Sequence, residues 1–168
     1  MADKRKLITQ CIENFPDECK EVYRQIAEYA YDLGYKPSWI KVRQKGVTVN
    51  STALAFAKKL KSKSVTVLKI SPKPSISLKF FATKEYSDIF KKGIKAVIEA
   101  FDGRYTGCYG CGKCSGELEG YTYIYPDGRK VFRCGGELIT LTEPIAEEHI
   151  NEIFKLMKAQ DDYFTNTH

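Results

Sequence analysis

The sequence predicts an α+β fold: an antiparallel sheet flanked by helices, with a cysteine-rich metal-binding β-hairpin near the C-terminus. Three observations carry that expectation. Segments 17–33 and 84–101 repeat apolar residues every three or four positions, as a helix with one buried face requires. Between them lie short runs rich in β-branched residues, alternating and punctuated by turn residues, as antiparallel strands do. Residues 106–120, TGCYGCGKCSGELEG, then place three cysteines and five glycines in fifteen positions, ahead of a turn-centred segment that ends in a fourth cysteine.

Taken in order, a short helix is expected over about Lys4–Glu13. A longer one follows over about Asp17–Leu33, with Cys19, Val22, Tyr23, Ile26, Ala30 and Leu33 on its apolar face. Pro16 suits its first turn, and Gly34 its end, because glycine accepts the left-handed backbone found there. Residues 39–49, WIKVRQKGVTV, alternate like a strand. TALAFA (52–57) is read as a strand because the sequence after it resembles a hairpin: KLKSKS turns, and VTVLKI (65–70) and ISLKFFA (76–82) flank SPKPS.

The second long helix, about Lys84–Phe101, points Tyr86, Ile89, Phe90, Val97, Ile98 and Phe101 inward, with Thr83 as its cap. After the cysteine segment, YTYIYPDGRKVFRC reads as a hairpin about Pro126-Asp127-Gly128, and ELITL (137–141) as a further strand. A last helix runs over about Pro144–Lys158, burying Ala146, Ile150, Ile153, Phe154 and Met157, before a frayed tail, QDDYFTNTH. The chain is read as one domain over 1–168: an α+β core (1–103), a cysteine-rich loop and hairpin (104–141), a C-terminal helix (142–160) and a tail (161–168).

The segment VTVLKISPKPSISLKFFATKEYSDIFKKGIKAVIEAF, residues 65–101, resembles the strand–turn–strand–helix heart of the YdhG-like group of small bacterial proteins. The cysteine-rich C-terminal third departs from that group and is similar to the hairpin arrangement of other uncharacterised bacterial proteins. The resemblance implies an α+β fold and brings no catalytic residues with it.

At 168 residues the chain can bury about 70% of its unfolded surface, so its core needs no covalent staples. It contains no run of eighteen apolar residues and no secretory leader, so a cytoplasmic location without a membrane span is expected. In a reducing compartment, clustered cysteines hold metal or do redox work more often than they form disulfides. Charge is uneven: residues 1–75 hold 15 Lys/Arg and 7 Asp/Glu, a net +8, against −2 for the remainder.

Four thiols are the sharpest feature. If Tyr125 pairs with Arg129 across the turn, Gly120 lies opposite Cys134, so the hairpin returns Cys134 beside the loop that leaves Cys114. The six residues from Cys114 to that base span at most about 20 Å, so one compact loop can gather every sulfur. Cys108, Cys111, Cys114 and Cys134 then match the tetrahedral Zn2+ requirement for four ligands, and Glu137, in the CGGE knuckle, is a possible substitute for Cys108. Four protein ligands make such zinc structural. Three cysteines at CxxCxxC with a remote fourth also suit a [4Fe–4S] cluster, the alternative cofactor. A thioredoxin-like CGKC centre is the redox alternative, although glycines and a hairpin follow it where a helix is needed.

Other segments carry weaker signals. Lys41, Arg43 and Lys45, with Lys58, Lys59, Lys61 and Lys63, could track phosphates while Trp39 and tyrosines stack on bases; the plainer reading is a solvated strand face and a basic turn. Tyr121, Tyr123 and Tyr125 alternate along one strand and are read as packing before recognition, with Arg129 and Arg133 over the rings or outward. His149, among glutamates, is read as exposed, and Cys11 and Cys19 as buried structural thiols. No nucleophile–base set or carboxylate pair stands out, so the chain leans away from being an enzyme. The expected function is a binding or interaction module with a structural zinc site and an unknown protein or small-molecule partner. An iron–sulfur or thiol-redox protein comes second, and a nucleic-acid-binding protein third.

Overall fold

The computed structural model describes residues 3–44, 47–100 and 116–167. It is an α+β arrangement with an antiparallel sheet and helices. The helices are α1 (Arg5–Ile12), α2 (Asp17–Asp32), α3 (Asp88–Glu99) and α4 (Ile150–Thr167). A five-stranded sheet runs β1 (Lys36–Gln44), β2 (Val47–Lys59), β3 (Ser64–Ser71), β4 (Ser75–Leu78) and β7 (Ile139–Thr140), in that spatial order and antiparallel throughout. A separate hairpin pairs β5 (Gly120–Ile124) with β6 (Lys130–Cys134). Among the described residues no helix is long and apolar enough to cross a membrane.

One face of the sheet makes the core. Leu54, Phe56, Leu68, Ile70, Ile76, Leu78 and Ile139 are wholly buried in one cluster with Ile26, Ile94 and Met157 from the helices. Burying each such side chain contributes about 1.5–3 kcal/mol. The opposite face carries small and polar residues, in a row across all five strands: Ser38, Ala55, Lys69, Ser77 and Thr140. The hydroxyls of Ser77 and Thr140 close that row with a 2.7 Å hydrogen bond.

The run Val65-Thr66-Val67-Leu68 breaks simple alternation, and the register explains it. Phe56 pairs with Leu68 but Ala57 with Thr66, leaving Val67 as the extra residue of a β-bulge. The bulge lets Val65, Val67 and Leu68 all reach the interior while Thr66 stays half-buried.

Several sequence expectations hold at this level. α1 lies within the short helix expected over Lys4–Glu13, α2 lies where periodicity puts it, and α2 stops at Gly34, whose φ of 93° lets Gly34 N–H reach the Tyr31 carbonyl and Tyr35 N–H the Ala30 carbonyl. TALAFA is strand, within β2.

Other boundaries are corrected. The 39–49 stretch is two strands, β1 and the start of β2, paired as a hairpin through Gln44 and Val47. The strand expected over 76–82 stops at Leu78: Lys79 N–H still donates to the Val67 carbonyl at 2.9 Å, but beyond it side chains take over as acceptors. Phe80 N–H donates to the Tyr121 hydroxyl at 3.2 Å, and Ala82 N–H to Gln160 Oε1 at 3.0 Å. α3 begins at Asp88, not Lys84: Thr83 Oγ1 accepts from Glu85 N–H in a local turn, while Ser87 N–H and Oγ–H both donate to Glu152 at 2.7 Å, fixing the helix start against α4. Phe101 lies outside the described residues.

The ELITL strand shortens to two residues. The last helix starts at Ile150 after a 3-10 turn over Glu147–His149, and Ala146 is exposed. His149 is half-buried, its Nδ1 accepting from Ala146 N–H at 3.0 Å, so it serves the helix start. The tail is the largest correction. α4 continues to Thr167, with Gln160, Asp161 and Phe164 buried on the stripe begun by Ile153 and Met157.

Candidate functional site

The β5–β6 hairpin has the register expected of its turn. Tyr125 N–H donates to the Arg129 carbonyl at 2.9 Å, and Gly120 pairs with Cys134. Tyr121 anchors it: the ring packs edge-on to Phe80 at 5.0 Å and to Phe81 at 6.4 Å, and burial pushes its hydroxyl's pKa upward. Lys84 Nζ donates to the Gly120 carbonyl at 2.6 Å, clamping the base of the hairpin to the segment before α3.

Cys134, the last residue of β6, is half-buried as the chain turns through Gly135 and Gly136. Gly136 N–H points at Cys134 Sγ over 3.4 Å, and Gly135 N–H donates to the Glu119 carbonyl at 2.9 Å. Gly135 passes so close to the strand entry that a Cβ there would lie 2.1 Å from Glu119 O and 2.7 Å from the Phe81 ring. Only glycine allows this turn to seat Cys134 there.

Of the proposed ligands, Cys108, Cys111 and Cys114 lie outside the described residues. Glu137 is exposed, and its carboxylate faces the buried Arg133 guanidinium at 3.6 Å. Among the described residues no three His, Cys, Asp or Glu side chains are grouped to hold a metal ion. Cys11 is buried in α1, and Cys19 is half-buried with Sγ–H directed at the Pro16 carbonyl.

A cavity of about 420 Å³ opens beside Cys134. Its apolar wall includes Phe81, Leu138 and Phe164, and its cationic wall consists of Lys63, Lys69 and Lys79. Lys79 Nζ donates to the Gly136 carbonyl at 3.3 Å. Burial lowers the Lys79 pKa; Lys63 and Lys69 push it the same way, against the pull of Cys134 and Glu137. Glu119 borders the cavity and accepts a hydrogen bond from the Tyr163 hydroxyl.

The basic residues of the first half do not share one surface role. Lys58 is spent inside the fold, donating to Asp161 at 2.7 Å and to the Leu33 carbonyl at 3.0 Å, above the Tyr35 ring. Lys41, Lys59, Lys61 and Lys63 are exposed. Lys45 is outside the described residues, and of Arg43 the backbone alone is described, on β1 opposite Thr48. Trp39 is 41% exposed.

Tyr123 of β5 and Tyr125 just beyond it pack, as the plainer reading expects. Tyr123 and Tyr125 meet edge-on at 4.9 Å, Tyr125 OH donates to Glu99 at 3.1 Å, and the Arg129 guanidinium lies 4.3 Å from the Tyr125 ring centre. The residues that sequence reading missed are Lys69 and Lys79. Each looks like an ordinary solvent-side strand lysine, and no local signal says that both line one cavity with Lys63. Compared with known proteins, the chain matches no family model, no curated protein and no solved structure.

Proposed function

We propose that this chain is a binding module whose C-terminal hairpin is held by Zn2+ on Cys108, Cys111, Cys114 and Cys134. The observation that supports this most is the setting of Cys134. Its Sγ has a backbone N–H aimed at it from the second residue of a Gly-Gly turn. A peptide N–H so placed is the kind of outer-shell donor that orients a metal-bound sulfur. Cys134 is also held opposite Gly120, six residues beyond Cys114, a stretch of chain that spans at most about 20 Å. Glu137 is the weaker ligand, since its carboxylate is directed to Arg133. With four thiolates the ion has no open position, so its role is to fix the hairpin and not to activate water.

Elemental analysis of anaerobically purified protein tests this. About one zinc per chain is expected, lost in Cys134→Ser. Iron with visible absorbance would replace zinc by a [4Fe–4S] cluster on the same thiols. A chain with no bound metal, whose CGKC thiols alkylate at once and reduce disulfides, would make it a redox protein. Chelation should expose residues 116–141 to hydrogen exchange while leaving β1–β4 protected, because that sheet has its own apolar core. Unchanged exchange after verified metal loss would remove the staple from the account.

A further inference from the structure

The cavity beside Cys134 is lined by three lysines and one carboxylate, that of Glu119. Lys63 comes from the β2–β3 turn, Lys69 from β3 and Lys79 from just beyond β4, yet all three line one space of about 420 Å³. Among the described residues none of the three forms an ion pair. Of the nearby carboxylates, Glu119 accepts from the Tyr163 hydroxyl, and Glu137 faces Arg133 while also acting on Lys79. Lys79 Nζ has one carbonyl, that of Gly136, at a long 3.3 Å. A partly buried ammonium group facing two others is repelled by them and underhydrated. An anion placed among the three would turn that repulsion into attraction.

We infer that this cavity binds a small organic oxyanion, a phosphate or carboxylate, whose apolar body lies on Phe81, Leu138 and Phe164. Ammonium groups act as compact point charges that accept either oxyanion without the planar geometry an arginine imposes. The volume falls within the usual range for small-ligand sites, about 300–1,000 Å³, and the pairing of a few polar groups with an apolar wall is their usual composition. Residues outside the cavity, including the other three cysteines, are not required.

Titration of the 168-residue chain as purified, followed by NMR with phenyl phosphate, benzoate, inorganic phosphate and neutral benzyl alcohol, tests the assignment. Saturable millimolar or tighter binding of phenyl phosphate or benzoate is expected, with shifts at residues 64–69, 79–81 and 134–138. The stronger of the two identifies the oxyanion, and inorganic phosphate should bind more weakly because it lacks the apolar body. Lys63→Gln and Lys69→Gln should each weaken binding about threefold to tenfold, and Lys79→Met should abolish it. If Lys79→Met does not fold, the Lys63→Gln/Lys69→Gln double variant decides. No saturable binding of either oxyanion, unchanged affinity in that double variant, or equal binding of benzyl alcohol would overturn the assignment. So would displacement of the probe by an oligonucleotide that binds more tightly, which would give the lysines to a nucleic-acid backbone.

Discussion

A methyl group on Gly135 would lie 2.1 Å from the carbonyl oxygen of Glu119, with no flexible side chain able to yield. Gly135→Ala must therefore part the β6 exit from the strand entry, at a cost of about 1–3 kcal/mol. Gly136→Ala is the control, since its Cβ would meet only Cys134 Sγ at an ordinary 3.6 Å. Chemical denaturation should separate the two variants clearly; equal stabilities would mean the turn is not pinned at Glu119. Cys11 supplies a pH-dependent case. It is 5% exposed, and burial raises its thiol from 9.0 to about 11. Above pH 9 the unfolded chain loses this proton while the folded chain keeps it, so the unfolded state binds fewer protons and stability falls as pH rises. The contribution, about 3 kcal/mol, is complete below pH 9 and lost by about pH 11. Cys11→Ala should lack this decline, so the stability gap between native and variant should narrow by that amount between about pH 8 and about pH 11. A gap that stays constant would show the thiol to be as hydrated folded as unfolded.

The end of α4 shows why a polar-looking helix can escape a sequence reading. Residues 160–167 offer glutamine, aspartate, threonine and asparagine, the composition of a frayed terminus. Yet Gln160 accepts from Ala82 N–H, Asp161 pairs with Lys58, and Phe164 packs edge-on against Phe81 at 6.0 Å. The polar residues hold buried positions because other elements supply their partners, and hydrophobic periodicity cannot register a partner 78 or 103 residues away. Phe164→Ala should cost about 3–5 kcal/mol, as for other buried phenylalanines, and be read as a lowered denaturation midpoint. A change below about 1 kcal/mol would restore the frayed tail. The hairpin was legible for the opposite reason. Pro126-Asp127-Gly128 dictates a local turn, and local turn chemistry fixes register without distant contacts, so the pairing of Gly120 with Cys134 follows from six adjacent residues on either side. The lysine cavity was not legible, because Lys63, Lys69, Lys79 and Cys134 meet only after the sheet and hairpin have come together.

Within the five-stranded sheet that organises the whole molecule, four strands pair with their sequence neighbours and a fifth does not. β1 through β4 form a run of hairpins, whereas β7 reaches β4 from far downstream, Leu78 facing Ile139. That topology sets an order of events as well as a shape. Contacts between neighbours cost little chain entropy to close, while the β4–β7 pairing must wait for a loop of about sixty residues to be gathered. β7 should therefore be absent from the rate-limiting step of folding and present only in what resists unfolding. Leu54→Ala, in the local hairpins, should slow refolding, while Ile139→Val should leave the refolding rate nearly unchanged and quicken unfolding. Stopped-flow kinetics would show this as movement of opposite limbs of the chevron, and a slowed refolding limb for Ile139→Val would contradict it. The last strand to arrive is then also the first to leave, and the lifetime of the native state is set at the sheet edge where two paired residues hold.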